Sequence, residues 1–268
     1  MLSVTTDFAT DKGDPSPFLR HIADAGFSHV HWCHHFDDDF AYFSAEVEQI
    51  RAWLAEFGLQ VLDLHASSGV EKQWFAPEEY RRKAGVDLVK NRIEMVARLD
   101  ASVIVMHAGG PNPRDQGLYW TQIRRSLDEI EPFARALGVR IAIENGTWSV
   151  LGPLLAAYPP EYVGLCYDSG HANMEPDGMG EMERLKDRLI AVHLHDNNGR
   201  GDLHNPIFSG TVDWARLARV LAASAYTRPV QMEITLVHSG FADAAAFLAH
   251  ARETGERFAA MIHEARGK

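Results

Sequence analysis

Six positions spread along the chain carry side chains that can bind a cation or move a proton, and each ends a short apolar run: His65, His107, Glu144, Asp168, His193 and Glu233. Successive side chains of a strand point to opposite faces. In Ile141-Ala142-Ile143-Glu144 the isoleucines take one face and Glu144 the other, and Val230-Gln231-Met232-Glu233 repeats the arrangement. In Ile190-Ala191-Val192-His193-Leu194-His195 the large aliphatic side chains share one parity and both histidines the other. The six polar groups are therefore expected to converge at one mouth.

Carboxylates packed together raise one another's pKa or force protonation, a cost that a divalent cation removes. Glu, Asp and His supply oxygen and nitrogen ligands suited to Zn²⁺, Mn²⁺, Co²⁺, Fe²⁺ or Mg²⁺, and nothing in the set selects one of them. Asp168-Ser169-Gly170-His171 adds an imidazole just past one strand, and Asp202-Leu203-His204 adds a further pair. His171, Asp202 and His204, with His65 and His107, are candidates for an additional metal or for substrate contact. Each has a plainer reading alone: a strand-end histidine can be structural, an aspartate can belong to a turn, and a buried glutamate can pair with Arg or Lys. Such explanations would have to hold independently at several strand ends, which favours the metal.

Positioning these groups requires a repeating scaffold. Apolar runs at residues 2–7, 29–33, 60–65, 103–107, 140–144, 163–168, 190–195 and 230–235 alternate with amphipathic segments. That alternation predicts parallel strands joined by crossover helices, an α/β fold, and eight units match a closed (β/α)8 TIM barrel forming a single domain over residues 1–268. Helical spacing marks residues 46–57, ending at Gly58, and residues 118–137, closing at Gly138. Pro77 can open a long helix, residues 214–223 and 240–264 are helical, and residues 203–212, with Pro206 and Gly210, form a loop. In a barrel the strand ends line the carboxyl face, where active sites are built.

The formal net charge of -11 argues against general affinity for nucleic acid, and no apolar run is long enough to span a bilayer. Cys33 and Cys166 give no disulfide framework. With no basic, apolar leader at the amino terminus, a cytoplasmic setting is expected, and a homo-oligomer is compatible with it.

The chain resembles the xylose isomerase-like TIM-barrel superfamily, above all its sugar phosphate isomerase/epimerase branch, over essentially its whole length. The carrying motifs are Leu62-Asp63-Leu64-His65, Val105-Met106-His107-Ala108-Gly109, Ile143-Glu144-Asn145, Leu165-Cys166-Tyr167-Asp168-Ser169-Gly170-His171-Ala172, Val192-His193-Leu194-His195-Asp196-Asn197, Asp202-Leu203-His204 with Gly210-Thr211-Val212-Asp213-Trp214, and Met232-Glu233-Ile234. Each is loose alone, but their order along eight units is specific. The resemblance implies that Glu144, Asp168, His193 and Glu233 hold one divalent metal. It implies a small sugar or sugar phosphate as substrate, isomerised or epimerised through a metal-stabilised enediolate. Glu144 and Glu233 are then the base and acid, one removing a proton beside a carbonyl and the other returning it. His171 would orient a substrate oxygen, and His195 and Asn197, which the motif leaves off the metal, become candidates for substrate contact or support. Trp32, His34 and Trp148, near strand ends, are candidates for packing on a sugar, with core packing the plainer role of any single Trp. Xylose isomerase itself carries a Lys two residues after its metal-binding Glu; Glu144-Asn145-Gly146 has none, which argues against its two-metal hydride shift.

Three rivals share the site. In apurinic endonuclease IV of the same superfamily the residues matching His65, His107, Glu144, Asp168, His171, His193, Asp202, His204 and Glu233 hold three zinc ions, implying a phosphodiesterase acting on abasic DNA. Against it stand the acidic charge and the absence of a basic, DNA-inserting loop. An inosose dehydratase-like lyase would use the same enolate, and a metal-bearing binding protein would use none of the chemistry.

Overall fold

The structure, a computed structural model, describes residues 1–109 and 116–267. Arg114, which with Lys72 and Arg200 is a candidate phosphate partner in the sequence, lies outside the described residues; Lys72 and Arg200 are exposed. Eight parallel strands form the sheet: β1 (Leu2–Thr5), β2 (His29–Trp32), β3 (Gln60–His65), β4 (Val103–His107), β5 (Arg140–Glu144), β6 (Val163–Asp168), β7 (Leu189–His193) and β8 (Val230–Met232). Their order is β7-β6-β5-β4-β3-β2-β1-β8. A parallel bridge from Leu194 to Met232, with Leu194 N donating to Gln231 O at 3.1 Å, joins the two ends. The expected barrel is thus present, and β1, β7 and β8 are shorter at their carboxyl ends than the apolar runs predict because the chain there leaves the ladder for the mouth.

The helices follow the strands in turn: α1 (Ser16–Asp24), α2 (Ser44–Phe57), α3 (Glu79–Arg98), α4 (Gln116–Ala136), α5 (Trp148–Ala157), α6 (Ser169–Asn173), α7 (Gly178–Leu185), α8 (Trp214–Ala222) and α9 (Ala244–Arg266). Helix α2 begins where Glu46 accepts a 2.7 Å hydrogen bond from Phe43 N and ends at Gly58 in the left-handed region, as its sequence predicts. Among the described residues no helix is long and apolar enough to cross a membrane.

Most of the core lies between sheet and helices and includes Val4, Val30, Leu64, Met106, Ile143, Leu165, Val192 and Met232. A smaller apolar cluster of Val103, Val105, Ala142, Cys166, Ile190 and Ala191 is separate from it. Ile190 belongs to this second cluster, against the parity reading that grouped it with Val192 and Leu194. The ladder explains the change: Leu165 pairs with Leu189 but Cys166 pairs with Ala191, so Ile190 is an extra residue that resets the alternation. A similar shift pairs Val30 with Val61 and His31 with Asp63, skipping Leu62.

Candidate active site

The ends of β5, β6 and β7 are tied together by short hydrogen bonds. Asn145, one residue past Glu144, clamps β5 to β6: its amide donates to Asp168 O at 3.0 Å and accepts from Asp168 N at 2.6 Å. Asp168 also caps α6, accepting from His171 N at 2.7 Å, which aims His171 back over Glu144. Ser169 Oγ donates to His195 O at 2.6 Å and accepts from His195 N at 2.9 Å, joining β6 to the segment after β7. At Gly170 any Cβ would collide with the His195 ring, so only glycine fits there.

Beyond β7, Asp196 accepts from Asn197 N, Val212 N and the Trp214 indole at 3.0, 3.1 and 2.7 Å, and its backbone pairs with Asn205. This folds residues 203–212 against the mouth and brings Asp202 and His204 to it. His204 has a φ of 47°, a strained value for a residue other than glycine, and its Nδ1 donates to Glu233 O at 2.9 Å.

Among the groups of candidate ligand atoms that result, three stand at the mouth. Glu144, Asp168, His193 and Glu233 form the first, each offering an atom within 4.8 Å of the others. His193 Nδ1 stands 2.6 Å from Glu233 Oε2 and 3.3 Å from Glu144 Oε2. Neither His193 Nδ1 nor Glu233 Oε2 has a hydrogen-bond partner despite that approach, an arrangement that a shared ion would fit. The second group is His65, His107 and Glu144, with the two imidazole Nε2 atoms 3.2 Å apart and His107 3.0 Å from Glu144 Oε2. In the third, Asp202 Oδ2 lies 3.2 Å from both His171 Nε2 and His204 Nε2.

The histidines share a device. Nδ1 of His65, His171 and His204 faces a backbone oxygen, of Ala66, Asn145 and Glu233 respectively, at 2.9–3.0 Å. A proton held on Nδ1 leaves the Nε2 lone pair for a cation. Burial pushes the His65 imidazole down to about 4, so it is neutral at neutral pH. For His204, burial also opposes the charge, but the hydrogen bond to Asp202 lifts it to about 10. His193 is held well above its ordinary value, since Cys166, Glu233 and Glu144 outweigh burial. Glu144 and Glu233 lie below the usual carboxylate range although burial works the other way, Glu144 because of His107 and His193 and Glu233 because of His193. The carboxylates thus draw imidazolium protons as counter-charge. One divalent ion offers the same charge at a single point, and this oxygen and nitrogen donor set fits it.

Beside the first two groups opens a cavity of about 270 Å³ lined by His107, Gly109, Glu144, Asn145, Thr147 and His171, among others. Several residues singled out from the sequence stand elsewhere. Trp32, on the helix-facing side of β2 with Val30, and His34, just past the strand, line a separate cavity of about 310 Å³ with Tyr42 and Trp53. His195 and Asn197 are fully buried behind the mouth residues they contact. His195 stacks on His204 with ring centroids 4.0 Å apart and reaches Asp168 Oδ2 at 3.1 Å, supporting both. Asn197 holds α6 to the loop through Gly170 O, Asn173 and Gly199 N. Trp148 packs on the core. Asn145, Ser169 and Asp196 are functional supports that the sequence reading misses; each immediately follows or lies within a ligand-bearing motif, which is the signal that could have found them.

Residues 19–251 match a family model described as xylose isomerase-like TIM barrel. An uncharacterized protein of Sinorhizobium fredii is 32% identical, with 80% of each chain covered. Fructoselysine 3-epimerase of Shigella flexneri is 22% identical over 81% of this chain and 82% of its own length. Among solved structures, a D-tagatose 3-epimerase-like protein superposes with a TM-score of 0.80 at 19% identity, covering 98% of both chains.

Proposed function

The chain belongs to the xylose isomerase-like TIM-barrel family, and from that premise we propose that it is a divalent-metal-dependent sugar isomerase or epimerase. The observation that carries the reading is the pair of buried glutamates, Glu144 and Glu233, facing each other across His193 Nδ1 from opposite parts of the barrel. Epimerisation needs two such groups, one to take a proton beside a carbonyl and one to return a proton to the other face. Glu144, Asp168, His193 and Glu233 would hold the ion, which supplies positive charge opposite the sugar oxygens.

The remaining steps belong to the chain. A polyhydroxy substrate enters by the cavity beside Glu144, where His107 and His171 line the wall against its hydroxyls. One glutamate takes the proton, leaving an enediolate, and the other protonates the carbon from the opposite side. Among the described residues, those lining this cavity include no Lys or Arg. The abasic-DNA phosphodiesterase gains no comparable support: the net charge is -11, and the similar proteins with a named activity given above are epimerases or epimerase-like.

The test is proton exchange. Manganese-loaded protein incubated in D₂O with a panel of ketoses should place deuterium at the carbon beside the carbonyl of at least one sugar and yield its epimer or isomer. Absence of exchange across the panel, together with cleavage of abasic DNA, would overturn the reading, as would loss of a hydroxyl without any isomer.

A further inference from the structure

Below the mouth the barrel interior is divided. Toward β4, β5, β6 and β7 it is filled by the small apolar cluster already described, the ordinary content of such a barrel. Toward β8, β1, β2 and β3 it is polar, with Gln231, Ser3, Thr5, His31 and Asp63 all fully buried. In this half, Ser3 Oγ, both amide atoms of Gln231, His31 Nε2 and Asp63 Oδ2 have no hydrogen-bond partner. Buried polar atoms without partners are costly and call for an explanation.

His31 supplies one. Its Nδ1 lies 2.8 Å from Asp63 Oδ1, and Arg228 Nη1 approaches the other Asp63 oxygen at 3.5 Å. At 2.8 Å Asp63 Oδ1 accepts the Nδ1 proton. The lone pair is then on Nε2. That atom is the orphan, and the His31 ring stands 4.5 Å from the ring of His193. His31, His193 and Glu233 each offer a ligand atom within 4.8 Å of the others. The anchoring is that of His65, His171 and His204, with a carboxylate in place of a backbone oxygen, a common support for a metal-bound imidazole.

We propose that His31 is a metal ligand that forms, with His193 and Glu233, an inner divalent-cation seat one layer deeper in the barrel than the seat of Glu144, Asp168, His193 and Glu233. A neutral imidazole offers one lone pair, so an ion in one seat takes His193 from the other and the two are alternatives. The inner seat has two nitrogens and one oxygen and suits Zn²⁺ or Co²⁺; the mouth seat has three carboxylates and one nitrogen and suits Mn²⁺ or Mg²⁺. The added nitrogen favours Zn²⁺ or Co²⁺ over Mn²⁺ in the inner seat, and of these two seats only the outer places the ion against the substrate cavity. This rests on the metal part of the preceding reading and not on the sugar chemistry.

The experiment is Co²⁺ and Mn²⁺ titration of EDTA-treated wild type, His31→Gln and Asp63→Asn, followed by calorimetry and, for Co²⁺, visible absorption. His31→Gln should weaken Co²⁺ about 10–100-fold and move its absorption band, while Mn²⁺ affinity stays at the wild-type value. Asp63→Asn should weaken Co²⁺ less. Unchanged Co²⁺ affinity and band in His31→Gln, or equal weakening of both ions, overturns the inner seat and leaves the mouth seat standing. Absence of Co²⁺ and Mn²⁺ binding to wild type overturns both seats. If His31→Gln does not fold, Asp63→Asn decides: weaker Co²⁺ with wild-type Mn²⁺ affinity supports the seat, and unchanged Co²⁺ binding overturns it.

Discussion

Replacing Asp196 with Asn should loosen the loop that completes the site, by an amount the geometry sets. The side chain is fully buried. Its Oδ1 accepts from Asn197 N and Val212 N, and its Oδ2 from the Trp214 indole at 2.7 Å. An Asn oxygen can keep the two backbone donors, but its NH₂ then faces the indole N–H, donor against donor. One charge-assisted bond is lost and one buried N–H is left unmet, overlapping costs that together come to about 3 kcal/mol. For a chain of this size that lowers the thermal midpoint of metal-free protein by about 6–12 °C. Circular dichroism melts of EDTA-treated Asp196→Asn measure it, and Trp214→Phe supplies the control. Removing the indole N–H from the Asp196→Asn background should recover about 1–2 kcal/mol relative to the sum of the two single changes. A midpoint for Asp196→Asn indistinguishable from wild type, or strict additivity in the cycle, refutes the assignment of Asp196 as the loop's anchor.

Three further outcomes are expected. Glu144→Gln and Glu233→Gln should each cut sugar-dependent deuterium exchange by about 10²–10⁴-fold; activity within a few-fold of wild type for either would remove that residue from the acid–base pair. Saturation with Mn²⁺ at about 100 times its dissociation constant should stabilise the fold by about 2.7 kcal/mol, read as a rise in midpoint that EDTA reverses and that is absent if no ion binds the native chain. The metal-free protein should also lose stability as pH rises. His204, lifted to about 10 chiefly by Asp202 against burial, keeps a proton that the unfolded chain releases near 6.5. Between those values His204 makes the native state bind more protons, so its contribution is fully present below 6.5 and is lost as pH rises through the folded value. Mn²⁺ should flatten or reverse that slope by taking the place of the protons. A melting midpoint that does not fall with pH in metal-free protein would contradict the ion pairing of His204 with Asp202.

The strand ends were legible because period-two alternation is a local property. Four strands, β3 to β6, end where the apolar runs predict, and the mouth residues drawn from them face one another. Helices α1, α5, α6 and α7, of 9, 10, 5 and 8 residues, go unmarked by periodicity, whereas α8, also of 9, is marked because Leu217, Val220 and Leu221 repeat on one buried face. The placement of Asp202 and His204 was legible only as a motif, since it depends on Asp196 reaching across to Val212 and Trp214.

Parity also held information that a search for strand ends passes over. On β2 it places His31 and Cys33 inside and Trp32 and His34 outside, which is where they are found: Cys33 Sγ lies 3.9 Å from Glu233, while Trp32 and His34 line the outer cavity. Counting from His65 puts Asp63 inside too, and the bulge at Leu62 does not disturb this because it falls before Asp63. What alternation cannot supply is height. Whether His31 stands level with Asp63 or with His65 depends on the stagger between β2 and β3, and that stagger is set by the bulge. Bulges at Leu62 and Ile190 thus act in opposite senses. The first brings a carboxylate level with His31 and anchors an imidazole beneath the mouth; the second turns Ile190 inward, where it helps fill the opposite wall with hydrocarbon. A barrel whose interior were polar all round would leave too many groups unpaired to fold. Confining the polar half to β8, β1, β2 and β3, and packing the half from β4 to β7, lets one interior carry buried polar groups while the other wall retains the apolar contacts that hold the strands in register.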